Sequence, residues 1–245
     1  MADMRSDTKG FIHIVTLALI LLVLVGLGMA AGIVAGYLKN APSVEDVDVE
    51  ARRVLPTVIY DVNGNVLTKL KIEDRQWVRL ADIPQHLIDA VIAVEDHRFY
   101  EHHGISVRRI LGALWYDIRH LSDDQGGSTI TAQLARNVFL SHEKTISRKI
   151  WEALYAFQLE RRYTKDEILE FYLNWVYFGH GTYGVQAASN LFFGKPVDQL
   201  TLGEATLLAG IPKGNELYSP IKNEQTRQNG LNRRKIVLSR MVDVG

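Results

Sequence analysis

The chain has 245 residues, which suits one medium-sized domain with its own core plus an additional segment. Its formal net charge is zero, so the overall basic character of nucleic-acid-binding proteins is absent and no nucleic-acid partner is expected. It has no cysteine, which excludes disulfides, thiol catalysis and cysteine-ligated zinc.

The first predicted element is an apolar helix, because residues 11–38 carry no charge. As a helix, this run would be about 42 Å long, against roughly 30 Å for the hydrocarbon core of a bilayer. It also exceeds the apolar region of a signal peptide, although cleavage near Ala30 stays open as an alternative. We predict a cytoplasmic tail over 1–10, a transmembrane anchor over 11–38 and the rest of the chain outside the cytoplasmic membrane.

Residues 39–75 are predicted to form a linker that contains a short β-hairpin. The first part of this segment is polar and acidic, as linkers often are. Two β-rich runs, 57–61 and 66–70, then flank the dipeptide Asn63-Gly64. This dipeptide favours a tight turn between antiparallel strands.

From Pro84 onwards helical periodicity dominates, so we predict a mainly α fold with its principal domain over 76–230. Apolar residues recur at helical spacing in four successive segments, which contain Ile88, Ile110, Ile130 and Ile146. In the fourth segment the apolar stripe comprises Ile146, Ile150, Leu154 and Phe157. Two later helices are expected to begin with capping boxes, at Thr164 to Glu167 and Thr201 to Glu204. Residues 231–245 are predicted to begin a helical junction towards a transpeptidase domain, whose presence stays open.

Glu95 lies in the first of these stripes, where the spacing calls for an apolar residue. A carboxylate in such a place either pairs with a neighbour or loses water, and loss of water raises a carboxyl pKa towards the range of a general base. The stripe alone leaves a general base and a structural glutamate equally open. The nearby His97, His102 and His103 match no zinc signature, so no metal site is predicted.

A second candidate site lies where glycines 126 and 127 precede Ser128 and Thr129 at a helix start. Free amides there favour an anion, although a loop with a serine cap is the common alternative. A group of basic residues favours an anion such as pyrophosphate: Arg136, Arg148, Lys149, Arg161, Arg162 and Lys165. Arg148 and Glu152 are four residues apart and can share one helix face as a surface ion pair.

Five sequence blocks occur in order: 95–104, 126–137, 148–152, 165–174 and 209–220. Through them the chain resembles the peptidoglycan glycosyltransferase domain of class A penicillin-binding proteins. The resemblance implies a mainly helical, lysozyme-like fold with a small membrane-proximal lobe. It also implies polymerisation of lipid II into β-1,4 glycan strands, with release of undecaprenyl pyrophosphate. Its partners would be lipid II, the growing lipid-linked glycan, the membrane, and a transpeptidase domain or other cell-wall synthesis proteins.

The resemblance also assigns roles to single residues. Glu95 corresponds to the general base and Glu152 to a second essential carboxylate on the donor side. The implied substrate-binding positions are Asp96, Phe99, Ser128, Thr129, Gln133, Arg136, Asn137, Arg148 and Lys149. No cofactor is implied as required, and assistance by a divalent cation such as Mg²⁺ or Mn²⁺ is left open.

Three residues depart from the family pattern: Ala132 stands where a glutamine is usual, Arg136 where a lysine is usual, and Asn215 where a proline is usual. Two other functions stay open. A lysozyme-like lytic enzyme would act on finished peptidoglycan, which has no pyrophosphate for the basic residues to bind. An inactive membrane-tethered scaffold would have no need of both Glu95 and Glu152.

Overall fold

The computed structural model describes residues 3–40, 43, 45, 48–50, 57–70, 74–104, 128–140 and 145–245. The helix predicted around Ile110 and the glycines 126 and 127 lie outside these described residues. The chain divides into two compact units, Met1–Ala41 and Pro42–Gly245.

The first unit consists of one long helix, α1 (Asp3–Lys39). Its large apolar side chains between Ile14 and Met29 are exposed. In the part of the chain that the structure describes, no helix combines the length and the apolarity needed to cross a membrane. The transmembrane anchor predicted over 11–38 is therefore not confirmed.

The second unit is mainly helical, as predicted. Its α-helices are α2 (Gln85–Glu95), α3 (Ile130–Phe139), α4 (Ile146–Arg162), α5 (Lys165–Trp175), α6 (Val185–Phe193), α7 (Leu202–Gly210) and α8 (Glu224–Val244). Two small sheets accompany them. The first contains β1 (Thr57–Tyr60) and β2 (Val66–Leu70); the second contains β3 (Asp74–Arg75), β4 (Tyr177–Gly179) and β5 (Thr182–Tyr183) in the order β3-β5-β4.

The predicted β-hairpin is confirmed. Strands β1 and β2 pair antiparallel around the expected turn. The Asp61 carboxylate accepts hydrogen bonds from the backbone N–H groups of Asn63 and Asn65, both at 2.8 Å. Gly64 has a φ of +83°, which glycine adopts readily because it has no Cβ.

Part of the segment predicted as a linker packs into the core of the second unit, to which it belongs. Val49 is fully buried in the core, and its N–H donates a hydrogen bond to the Tyr163 hydroxyl at 3.3 Å. The neighbouring Asp48 forms an ion pair with Arg162 at 3.0 Å. One buried valine with these polar contacts holds the segment at the end of α4, although its composition is that of a linker.

The core lies between two groups of helices. Helix α2 packs against α7 and α8, and α3 packs against α4 and α5. Fully buried side chains from these helices include Leu87, Ile130, Leu134, Leu159, Leu173 and Leu208. The two groups meet where the end of α2 approaches the start of α3, and both candidate sites of the sequence analysis lie near this junction.

Helix α4 was predicted correctly, but its buried face was not. Phe157, a member of the predicted apolar stripe, is 49% exposed, whereas Glu152, Ala156 and Leu159 are buried. Burial of a carboxylate requires a compensating charge or hydrogen bonds, which two neighbouring cations supply to Glu152. These contacts stabilise the orientation of α4 in which the Glu152 carboxylate faces inward.

Both predicted capping boxes are confirmed, at the starts of α5 and α7. In α7 the Glu204 carboxylate accepts a hydrogen bond from the Thr201 N–H at 2.8 Å and pairs with Lys195 at 2.7 Å. The lysine, with the threonine hydrogen bonds, lowers the pKa of Glu204 to about 2. This carboxylate stabilises a helix start, which explains its presence without a catalytic role.

Gly184 at the start of α6 supplies a test of the packing. Its φ is +81°, and an added Cβ would lie 2.8 Å from the Asn174 carbonyl oxygen, a backbone atom of α5. We expect Gly184→Ala to lower the free energy of unfolding by about 2–4 kcal/mol, measured by urea denaturation. Gly194→Ala is the control, since its φ is +69° but a Cβ meets nothing within 4 Å. Equal losses in the two variants would contradict the steric argument.

Candidate active site

Glu95 is the last residue of α2 and is partly buried. Its Oε2 accepts a hydrogen bond from Gln133 Nε2 of α3 at 2.8 Å. Of the two outcomes expected for this carboxylate, the structure shows pairing. The donor of this hydrogen bond is a neutral amide, so the bond orients the carboxylate and brings no positive charge of its own.

Gln133 is held from its other end by α5. The Tyr172 hydroxyl donates a hydrogen bond to Gln133 Oε1 at 3.3 Å, and Tyr172 is only 1% exposed. Burial raises the pKa of Tyr172 well above its ordinary value, and the charge of Glu95 raises it further. The hydroxyl therefore stays protonated at neutral pH. Sequence reasoning missed this residue, because helical spacing does not distinguish a hydrogen-bonding tyrosine from a core aromatic.

Asp96 directly follows α2 and is buried. Its Oδ2 accepts a hydrogen bond from the Ile130 N–H at 3.1 Å and lies 2.8 Å from His102 Nε2. The carboxylate thus joins the end of α2 to the first turn of α3, where the helix dipole favours a negative charge. In the structure Asp96 supports the site through these contacts, and its predicted contact with substrate stays a prediction.

Thr129 and Phe99, also predicted to bind substrate, are likewise buried. Thr129 caps α3 by accepting from the Ala132 N–H at 3.1 Å, and it donates to the Gly104 carbonyl at 2.6 Å. The Phe99 ring is covered on one face by Lys165, whose Nζ lies 4.4 Å from the ring centroid. Both side chains stabilise the backbone around the site and present little surface to a ligand.

Glu152 forms the centre of a charged cluster on α4. Its side chain is 1% exposed; Lys149 Nζ lies 2.8 Å from Oε2 and Arg148 Nε lies 3.5 Å from Oε1. Lys149 Nζ also donates to Ser128 Oγ at 2.7 Å, and the lysine side chain is 56% exposed. Two cations around one buried carboxylate leave the cluster with a positive charge facing solvent.

Arg136 and Asn137 lie on α3 and are partly exposed. Arg136 is one turn beyond Gln133, and its charge acts on the Tyr172 hydroxyl, whose pKa it lowers against the larger effect of burial. Arg136 thus lies on the helix whose Gln133 contacts Glu95, and its predicted contact with substrate stays a prediction.

The other predicted cations have partners elsewhere. Arg162 pairs with Asp48, and the Arg161 guanidinium lies 5.9 Å from the centroid of the Phe157 ring. Lys165 pairs with Glu160 at 2.7 Å. The structure thus brings together only part of the basic group that the sequence suggested.

Glu160 ties together the three helices that carry the site. The Thr131 hydroxyl of α3 and the Lys165 ammonium of α5 both donate to Oε1 of Glu160, which lies on α4. The Glu160 side chain is nearly sealed from solvent. This junction fixes α3, which bears Gln133, relative to α4, which bears Glu152.

Among the described residues, no group of three or more histidine, aspartate and glutamate side chains could hold a metal ion. The arrangement instead offers a carboxylate base on α2 and a positive cluster on α4, joined by α3. The carboxylate can accept a proton from a hydroxyl, and the positive cluster can stabilise an anion.

Comparison with known proteins agrees with this chemistry. Residues 63–242 match the family model described as Transglycosylase. The chain is 48% identical to penicillin-binding protein 1F of Bacillus subtilis (strain 168), over 76% of this chain and 26% of that protein. It is 42% identical to penicillin-binding protein 1A of Escherichia coli (strain K12), over 91% of this chain and 26% of the relative. The chain therefore spans about a quarter of the length of these curated relatives.

Among solved structures, the crystal structure of penicillin-binding protein 1A from Haemophilus influenzae aligns with 27% sequence identity. The alignment covers 77% of this chain and 18% of that chain, with a TM-score of 0.41.

Proposed function

The chain belongs to the transglycosylase family, and on that basis we propose that it is a peptidoglycan glycosyltransferase. It would join lipid II units into a β-1,4 glycan strand and release undecaprenyl pyrophosphate. The observation that carries the proposal is the hydrogen bond from the neutral amide of Gln133 to Glu95. Gln133 lies on α3, and this helix packs against α4, which bears the cationic cluster around Glu152.

Glu95 is proposed as the general base. Its carboxylate takes the proton of the acceptor sugar's 4-hydroxyl, whose oxygen attacks the anomeric carbon of the donor. The bond between that carbon and the pyrophosphate oxygen breaks, and the electron pair leaves with the pyrophosphate. The hydrogen bond from Gln133 supports this role because it holds the carboxylate in one orientation and its donor is an uncharged amide.

The cluster around Glu152 is proposed to bind the pyrophosphate. An ammonium group has three N–H donors, and the contacts of Lys149 with Ser128 and Glu152 use two of them. Arg148 adds a planar guanidinium suited to phosphate oxygens. Because positive charge stabilises the leaving pyrophosphate, no general acid is needed at this end.

We propose that the reaction requires no cofactor, since Arg148 and Lys149 already supply positive charge to the leaving group. Addition of Mg²⁺ or Mn²⁺ to chelator-treated protein measures any contribution of a divalent cation. A rate that depends strictly on the added ion would contradict this part of the proposal.

The proposed location is the outer face of the cytoplasmic membrane. A substrate with a polyprenyl chain resides in a membrane, and the uncharged run over 11–38 favours attachment of the chain there. A transpeptidase, in the same polypeptide or in another cell-wall synthesis protein, is the proposed partner that would crosslink the strands. The lysozyme-like lobe arrangement implied by the family resemblance is likewise part of this proposal.

The deciding experiment incubates the detergent-solubilised protein with labelled lipid II and separates the products on a gel. A ladder of polymer supports the proposed reaction. Shortening of isolated peptidoglycan without polymer would favour the lytic enzyme. No product from either substrate, beside an active reference polymerase and with folding verified by circular dichroism, would favour the scaffold.

Arg148→Ala is expected to weaken use of the donor more than it weakens the fold. Loss of one charge-assisted phosphate contact should raise the KM for lipid II about tenfold. Initial rates measured over a range of lipid II concentrations give this value. Arg227→Ala is the matched control, because Arg227 pairs with Glu224 on exposed α8. An unchanged KM in Arg148→Ala would contradict the phosphate role.

A further inference from the structure

We propose that Tyr172 is a positioning residue for the base Glu95 and that it acts through the side-chain amide of Gln133. The inference rests on the proposed function, in which Glu95 removes the acceptor proton. It adds Tyr172, on α5, to Glu95 on α2 and Gln133 on α3, which the sequence blocks already suggest.

The argument begins with the two ends of the amide. The Gln133 amide has an oxygen that only accepts hydrogen bonds and a nitrogen that only donates them. Glu95 Oε2 lies 2.8 Å from the nitrogen, and the Tyr172 hydroxyl lies 3.3 Å from the oxygen. A carboxylate offers only acceptors, so the nitrogen must face Glu95 for this bond to exist.

Glu95 sets the orientation of the amide, and Tyr172 holds the amide in that orientation. A flipped amide would face the Glu95 carboxylate with its own oxygen, and two acceptors in contact repel each other. With the nitrogen facing Glu95, the amide oxygen accepts the hydrogen bond that the Tyr172 hydroxyl donates. Tyr172 therefore fixes the far end of the amide and limits its movement away from Glu95.

The Tyr172 hydroxyl can fill this role over the working pH range. The groups whose charges act on it are Glu95 and Asp96 at the end of α2, and Arg136 on α3. Burial and the two carboxylates favour the neutral phenol, and Arg136 opposes them with a smaller effect. The hydroxyl thus remains a hydrogen-bond donor to Gln133 throughout this pH range.

The alternative is a purely structural role, in which Tyr172 only packs its ring in the core. Tyr172→Phe separates the two, because it keeps the ring and removes the hydroxyl. Without the hydroxyl, the amide can rotate and Glu95 loses its donor for part of the time. A hydrogen bond to the charged form favours that form, so its loss favours the protonated carboxylate and the acidic limb of the pH–rate profile moves to higher pH.

The experiment compares the pH dependence of lipid II polymerisation in the wild-type protein, Tyr172→Phe and Tyr155→Phe. The control Tyr155 is a partly buried tyrosine of α4 that stacks on Phe139 with a centroid distance of 4.8 Å. For Tyr172→Phe we expect kcat to fall about fivefold to tenfold, with little change in KM. The acidic limb should move up by about half a pH unit. Tyr155→Phe should leave both unchanged.

A double-mutant cycle completes the test. If Tyr172 acts through the amide, Tyr172→Phe should cause no further fall in kcat when added to Gln133→Ala. Tyr172→Phe with a wild-type pH profile, or with effects that multiply those of Gln133→Ala, would overturn the positioning role. If the wild-type protein polymerises lipid II, both of these results leave the proposed function intact and refute only the role of Tyr172. A wild-type protein that does not polymerise lipid II refutes the proposed function itself.

Discussion

Glu95→Gln is expected to lower the rate of glycan polymerisation by about 10³-fold or more, while the protein stays folded. The substituted side chain has the same shape, and its carbonyl oxygen can still accept the hydrogen bond from Gln133 that the carboxylate accepts at 2.8 Å. It cannot accept a proton from the acceptor hydroxyl at neutral pH. The measurement is the initial rate of polymer formation from labelled lipid II, with thermal unfolding followed in parallel.

Glu101→Gln is the matched control for this experiment. Glu101 lies six residues further along the same sequence block, is 60% exposed and pairs with Arg98. Its substitution removes the same charge from a place with no proposed chemistry, so polymerisation should stay near the wild-type rate. Normal turnover by Glu95→Gln would refute the assignment of the base.

Glu152→Gln is expected to lower kcat/KM for lipid II by about 100-fold. The carboxylate is buried between Arg148 and Lys149, so it fixes both cations in the place where the proposed pyrophosphate binds. An amide keeps one acceptor for Lys149 but removes the negative charge that holds two like charges together. The cations then separate, and the leaving group loses part of its stabilisation.

The control for Glu152→Gln is Glu224→Gln. Glu224 also pairs with a basic residue three positions away, Arg227, but both side chains lie exposed on α8. Such a surface pair contributes little, so we expect neither activity nor stability to change measurably. If Glu152→Gln also kept full activity, the proposed donor site would have to lie elsewhere.

The sequence allowed good prediction of features that depend on local spacing. The hairpin around Gly64 and the capping boxes at Thr164 and Thr201 are each specified by a few neighbouring residues, and all are confirmed. Glu95 was singled out because one carboxylate interrupted an apolar stripe. Each of these signals is contained within a short stretch of neighbouring residues.

Features that depend on contacts between elements were missed. The apolar stripe of α4 pointed to Phe157 as a core residue, but compensation of Glu152 by two cations favours a different buried face. Val49 was assigned to a linker because its neighbours are polar, and its burial depends on residues more than 100 positions away. Nothing in the sequence indicated that the Asp96 carboxylate accepts a hydrogen bond from the N–H of Ile130 on another helix.

The same limitation applies to Tyr172, whose partner Gln133 is 39 positions away in the chain. Helical periodicity identifies a buried aromatic at this place and gives no reason to expect its hydroxyl to be used. Only the packing of α5 against α3 brings the hydroxyl and the amide together.

Glu160 shows how a growth-based mutagenesis screen of this protein could be misread. Its loss would leave Thr131 and Lys165 without their common partner and would loosen three helices at once. Cells would then lack functional protein, and the position would score as essential alongside Glu95. Protein abundance measured in the same cells would separate the two classes, because a damaged junction depletes the folded protein whereas a missing base leaves its amount unchanged.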